Sequence, residues 1–416
     1  MSENGERAEA ADASGGDIFA EMKGRFVLHP DARLFVAGEM VALRPVAGAT
    51  VLPDRPAAVA LSGAFGHGCG FRIGGEGAPA AAGFETLTSG SSGMPRRIWR
   101  SVESWTAGFA VNAALFGIGP GVPVAVLGRL SHSLSLYGAF EGLSLGATLH
   151  LLDGMRPDRQ RQEMAAEGVA LVYATPAQLR LLVEAGGPVL AALRFVLVGG
   201  AKLDAGLRAA LAAMAPGAAV REFYGAAEAS FITLAGEETP PDAVGAAYPG
   251  VQIAVRDAAG GDLPDGAIGE IWLRSPYLFQ GYAGDDPGGA RWRGGWLTVG
   301  EMGLLSGGQL YLAGRAGRMV TVADQNVFPE EIEGFMAALP GVARVAVVPV
   351  VDGLRGQVLV AVCQGDAAQE EAILRAVRAH LGSLKAPKAL VWRQDWPELA
   401  SGKTDLVAIA RGLTWR

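Results

Sequence analysis

Small hydroxyl residues and glycines alternate in Thr88-Ser89-Gly90-Ser91-Ser92-Gly93, and after Met94 and Pro95 a cation, Arg96, closes the run. Glycines lack the Cβ that blocks close approach and accept positive φ, so successive amides can turn toward an anion while four hydroxyls add donors. The chemistry such a run suits is the holding of phosphate. It does not end in the Lys-Ser/Thr of P-loop nucleoside triphosphatases, so the grip is of another kind. A flexible Ser/Gly linker has the same composition, and the surroundings decide between the two.

Those surroundings resemble the adenylate-forming superfamily of acyl-CoA synthetases, aryl-CoA ligases and peptide-synthetase adenylation domains. Thr88 to Arg96 is similar to its phosphate-binding signature, with Arg96 where the family usually has Lys. Tyr224-Gly225-Ala226-Ala227-Glu228 resembles Y-G-x-T-E, which implies that Tyr224 packs on adenine and Glu228 helps to hold magnesium; Ala227 replaces the threonine. A carboxylate is a hard oxygen ligand suited to that ion, which keeps most of its waters. Gly199-Gly200-Ala201 resembles the turn that lines adenine and acyl group. Trp296 to Glu301 resembles W-x-x-T-G-D, which puts Glu301 at the ribose hydroxyls, and Gly314-Arg315 matches the pair whose arginine reaches the ribose.

From Gly314 to Glu333 the family spacing continues without a gap, with Gly317 at the hinge position, Thr321 for the lysine and Asp324 for the glycine beside the thiol channel. A carboxylate near the thiol path works against thiol entry, so adenylation is the firmer half of the implied reaction. Ser401-Gly402-Lys403 resembles the closing G-K motif and makes Lys403 the candidate catalytic lysine. An ammonium there neutralises charge building on the α-phosphate. His132 stands where the family often carries a histidine ahead of its acyl pocket, and Tyr137, Phe140 and Phe231 are candidates for lining that pocket.

The elements that must position these residues are legible in the periodicity. Short apolar runs at 122–127, 148–152, 169–173, 194–198 and 219–223 alternate with helical spacing at 157–167, 176–185 and 204–214, which predicts βαβ units and a parallel sheet. Ligands of such sheets collect at the carboxyl ends of strands, and two of these strands run into Gly199 and Tyr224. After Gly250 alternating strands with turns at 258–261 and 306–308 predict an antiparallel barrel lobe. A helix at 329–338, strands at 343–351 and 357–363, and a helix at 367–381 predict a small C-terminal domain. The expected organisation is therefore a tail over 1–17, a large α/β domain over 18–314 with parallel sheet and barrel lobe, and a mobile α+β lid over 315–416. The Gly74-Gly75-Glu76-Gly77 run lacks dinucleotide-loop spacing and reads as a surface turn. Against full-length relatives the part before the phosphate loop looks shortened.

With 416 residues, half of them hydrophobic, the chain can bury a large core. A net charge of −7 without a basic cluster argues against a nucleic-acid partner. Cys69 and Cys363 are far apart and in no Cys/His cluster, so neither a disulfide framework nor a zinc site is implied. The acidic opening lacks a signal-peptide pattern, and the uncharged span 104–128 is broken at Gly117 to Gly121, which predicts a buried helix, a turn and a strand rather than a membrane span. The compartment expected is the cytoplasm, and a homodimer is compatible with the shortened chain.

The resemblance implies an ATP- and Mg2+-dependent ligase that converts a carboxylic acid to acyl-AMP and passes the acyl group to coenzyme A. An aromatic acid such as 4-coumarate is favoured by the short, aromatic-containing segment after His132. A stand-alone adenylation protein serving an acyl carrier protein, and a nucleotide-binding homologue without chemistry, remain as alternatives.

Overall fold

The computed structural model describes residues 23–67, 70–75, 77–79, 83–88, 96–284, 288–322, 325–352, 356–398 and 404–413. Parallel strands stand side by side in the order Ala219–Ala226, Phe195–Val198, Leu171–Ala174, Pro123–Val126, Thr148–Leu151 and Arg33–Val36, with Glu39–Val41 antiparallel at the edge. The central strands Phe195–Val198, Leu171–Ala174, Pro123–Val126 and Thr148–Leu151 are almost wholly buried runs, as a sheet covered on both faces requires. Alternate residues feed two cores. Val124, Val126, Leu171, Tyr173 and Leu197 pack with the helices Glu103–Phe116 and Ser133–Ser144. Ala125, Val172, Val196 and Val198 pack with Pro157–Ala166, Pro176–Glu184 and Ala205–Met214 on the other face. Burial of each such Val or Leu contributes about 1.5–3 kcal/mol.

Local chemistry sets the ends of these helices. Thr175 and Gln178 form a capping box ahead of Pro176–Glu184, and Asp204 accepts from the Leu207 amide ahead of Ala205–Met214. The uncharged span divides as its glycines require: Glu103–Phe116 ends at Gly117, left-handed at φ 65°, and the strand Pro123–Val126 follows. No described helix is long and apolar enough to cross a membrane.

A second sheet runs Gly281–Tyr282, Arg97–Arg100, Phe84–Leu87, Phe71–Ile73 and Val51–Leu52. The antiparallel part of the chain does not stand apart. Strand Ala219–Ala226 outruns its parallel partner and turns back as Ser230–Leu234, and from there antiparallel pairing continues through Gly245–Ala247, Gln309–Arg315, Glu301–Ser306 and Gly269–Arg274. The Gly307-Gly308 turn has both φ values positive, as a two-residue hairpin connection demands. The C-terminal unit has its own core, built from Val342–Asp352, Gly356–Gly365 and Ala389–Trp392 with the helices Pro329–Ala337 and Glu370–Lys385.

Candidate adenylation site

The hydroxyl-glycine run connects the two strands of a hairpin. Phe84–Leu87 and Arg97–Arg100 pair antiparallel, the Thr88 amide donates to the Arg96 carbonyl at 2.8 Å, and the Arg96 amide donates to Thr88 Oγ1 at 3.2 Å. Thr88 and Arg96 thus close the neck of the loop. Ser89, Gly90, Ser91, Ser92 and Gly93 lie outside the described residues. His132 bridges to Leu87 beside that neck, and Ser133 Oγ donates to the Leu87 carbonyl at 2.9 Å. As N-cap of Ser133–Ser144, His132 makes no side-chain capping bond, so its ring is not committed to the helix.

Tyr224 and Gly225 lie in the part of Ala219–Ala226 that projects past the parallel pairing, whose last pair is Val198 with Glu222. Gly199, Gly200 and Ala201 follow Val198 directly at the same carboxyl edge of the sheet, with Gly200 turning at φ 93°. Two glycines are obligatory here: a Cβ on Gly199 would stand 2.2 Å from the Phe223 ring, and one on Gly225 would stand 2.3 Å from the Ser230 carbonyl oxygen. Glu228 follows in the turn, where Tyr282 donates its hydroxyl to Glu228 Oε1 at 2.9 Å. The Arg96 guanidinium lies 5.9 Å from the centroid of the same Tyr282 ring.

Glu301 and Arg315 are register partners, and Arg315 Nε donates to Glu301 Oε1 at 2.9 Å. Their charges and that of Glu228 all bear on Tyr224, whose phenol is pushed well above its usual range, by burial first. Its buried hydroxyl has no hydrogen-bond partner among the described residues. Arg96 and Glu228 thus share Tyr282, Glu301 pairs with Arg315, and the charges of Glu228, Glu301 and Arg315 all reach Tyr224.

Other expectations fall elsewhere. Phe140 stacks on Phe26 at 4.0 Å inside the aromatic core. Tyr137 and Phe231 are buried against each other at 5.4 Å. Gly317 occupies a 3-10 turn, Ala316–Arg318, next to Arg318, which is bound to Glu330 and Glu333 of the following helix. Lys403 and Asp324 lie outside the described residues; beyond Lys403, Thr404 bridges to Glu398 and accepts from Trp396 Nε1 at 3.1 Å. Two residues that motif reading missed, Tyr282 and Arg100, contact the Glu228 turn. Neither lies in a local motif, and their partners are 54 and 127 residues away in sequence.

The AMP-binding enzyme profile matches residues 83–283, and the AMP-binding enzyme C-terminal domain profile matches 331–403. The uncharacterized acyl–CoA ligase YhfT of Bacillus subtilis (strain 168) is 33% identical over 334 residues, which is 79% of this chain and 67% of that protein. The chain belongs to the AMP-binding, adenylate-forming enzyme family. Within it, 3-hydroxybenzoate–CoA ligase of Aromatoleum sp. (strain CIB) is 29% identical over 78% of this chain and 65% of its own. The amide bond synthetase McbA of Marinactinospora thermotolerans superposes with a TM-score of 0.71 at 26% identity, over 96% of this chain and 92% of that one. The chain thus spans about two thirds of these curated ligases and nearly all of that synthetase.

Proposed function

We propose that this AMP-binding enzyme is an ATP-dependent acyl-CoA ligase acting in the cytoplasm. The observation that carries the proposal is that Tyr282 joins Arg96, at the neck of a loop of phosphate-binding composition, to Glu228, while the Glu301–Arg315 pair lies within electrostatic reach of Tyr224. In this reading ATP lies with adenine against Tyr224, Gly200 and Ala201, its ribose at Glu301 and Arg315, and its phosphates at Thr88 to Gly93 and Arg96. A carboxylate oxygen of the acid attacks the α-phosphorus, the bond to the bridging oxygen breaks, and pyrophosphate leaves with acyl-AMP formed. Lys403 neutralises the charge that builds on the α-phosphate. A thiolate then attacks the acyl carbonyl and expels AMP, with the thiol proton released to solvent. Rotation of the C-terminal unit about the Ala316–Arg318 turn, near Gly317, exchanges the two half-reactions.

Glu228 suits magnesium. One carboxylate oxygen takes the Tyr282 hydroxyl. A lone carboxylate fits an ion that keeps its waters and shares phosphate oxygens, and not one that needs a full protein cage. When bound, the ion shields the phosphate charge.

An aromatic acid is the proposed substrate, in keeping with relatives named 3-hydroxybenzoate–CoA ligase and indoleacetate–CoA ligase. Coenzyme A is the proposed acceptor. A second reading, transfer of the acyl group to an amine, draws on the amide bond synthetase matched over 92% of its length. Pyrophosphate release should be measured across aromatic and aliphatic carboxylates, with coenzyme A, an acyl carrier protein or an amine as acceptor. Release that depends on an acid, with a thioester formed only with coenzyme A, supports the leading reading. ATP binding without acid-dependent release sinks it.

A further inference from the structure

Arg100 ends the strand that leaves the phosphate-loop candidate, and it is a fully buried arginine at 0% exposure. Its guanidinium sits 5.8 Å from the Trp105 ring centroid, and each of its three nitrogens donates a hydrogen bond. Nε donates to Ser104 Oγ at 3.2 Å, one terminal nitrogen donates to the Ala227 carbonyl, and the other donates to Ser230 Oγ at 2.9 Å and to the Tyr277 carbonyl. Ala227 and Ser230 bracket Glu228, and Ser230 is left-handed at φ 57°, a conformation that a non-glycine residue adopts only when its surroundings impose it. The segment held through Tyr277 reaches Glu228 from the other side: the Phe279 amide donates to the Glu228 carbonyl at 2.8 Å. Three residues further on, Tyr282 pairs with Ile98 of Arg100's own strand and supplies the hydroxyl on the Glu228 carboxylate.

We infer that Arg100 is a positioning residue: by clamping the Ala227–Ser230 turn and the Tyr277 segment to its own strand, it sets the Glu228 carboxylate at a fixed place relative to that strand and to Arg96 just before it. The inference rests on the reading of Glu228 as the magnesium-holding carboxylate. The planar fork is what the role needs, because its donors diverge in a plane toward four acceptors on three chain segments. A lysine keeps a charge at the site, but its three donors leave one of the four unbound. A group that acts through a ligand's own scaffold shows itself in metal dependence, as outer-sphere partners elsewhere do.

Calorimetric titration of ATP at a series of magnesium concentrations, with thermal unfolding on the same samples, tests this on the full chain. Arg100→Lys should bind ATP without magnesium as the wild type does, while the magnesium concentration for half-maximal enhancement of binding rises about ten- to a hundredfold. Ser230→Ala, which removes one arm of the clamp and leaves the guanidinium in the core, should shift it in the same direction by a few fold. If Arg100→Lys does not fold, Ser230→Ala decides by itself: a shifted magnesium curve supports the clamp, and a wild-type curve overturns it. A folded Arg100→Lys protein with a wild-type magnesium curve overturns it as well. Wild-type protein whose ATP binding ignores magnesium, and which releases no pyrophosphate with any acid, marks instead a failure of the underlying adenylation reading.

Discussion

The Tyr282 hydroxyl stands 2.9 Å from Glu228 Oε1, while the Tyr282 ring lies 5.9 Å from the Arg96 guanidinium. One aromatic side chain thus touches the cation at the neck of the hydroxyl-glycine loop and the carboxylate of the Tyr224 turn. Tyr282→Phe keeps the ring and removes only the hydrogen bond. A hydroxyl on a charged acceptor is worth about 1.5–3 kcal/mol. The expected result is an approximately tenfold loss of kcat/KM for ATP, seen in pyrophosphate release, with a thermal midpoint close to that of the wild type. A variant as active as the wild type removes Tyr282 from the site.

Lys403→Ala separates binding from chemistry. Loss of charge stabilisation present only in the transition state lowers kcat and leaves substrate binding. Acid-dependent pyrophosphate release should fall by about a hundredfold or more, the scale of losing one such contact, while calorimetry still reports ATP binding. Undiminished release would falsify the assignment of Lys403.

Glu301→Ala addresses the nucleotide's other end. Arg315 loses its partner at 2.9 Å, and the ribose contact implied for the carboxylate goes with it. KM for ATP should rise about tenfold, as for loss of one charged hydrogen bond, with kcat changed less. A variant with lowered kcat and unchanged KM assigns Glu301 to the chemical step instead.

The buried Glu141 makes a pH prediction. Burial pushes its carboxyl up to about 8, against hydrogen bonds from Tyr173 and Asn112 that favour the charged form. The ordinary value is 4.5. Between the two the folded chain holds a proton that the unfolded chain has lost, so stability from this group is complete below pH 4.5 and disappears as pH rises toward about 8. Glu141→Gln should therefore flatten the decline in urea-unfolding free energy across that window. An equally steep decline in the variant assigns the pH dependence to other groups.

Much of the scaffold was legible in the sequence, because its signals are local. The runs at 122–127, 148–152 and 194–198 appear as strands within two residues at each end, since a buried parallel strand is a continuous apolar run whatever its neighbours are. The 219–223 run was read short. It extends to Ala226 because antiparallel pairing with Ser230–Leu234 takes over where parallel pairing stops, and no local signal announces that partner. Phe140 lies in the core, and the sequence leaves core and pocket both open for it, because an aromatic in a helix carries no mark of which face it will bury.

By itself the sequence determined the family, the order of the motifs and the alternation of helices and strands. Only the tertiary structure decided that Arg100 and Tyr282 belong to the Glu228 turn, or that Arg315 meets Glu301. The reason is physical. Propensity, periodicity and capping act over one turn or one strand, whereas a guanidinium fork or a tyrosyl hydroxyl takes its partner from whichever backbone the packed sheets bring within about 3 Å.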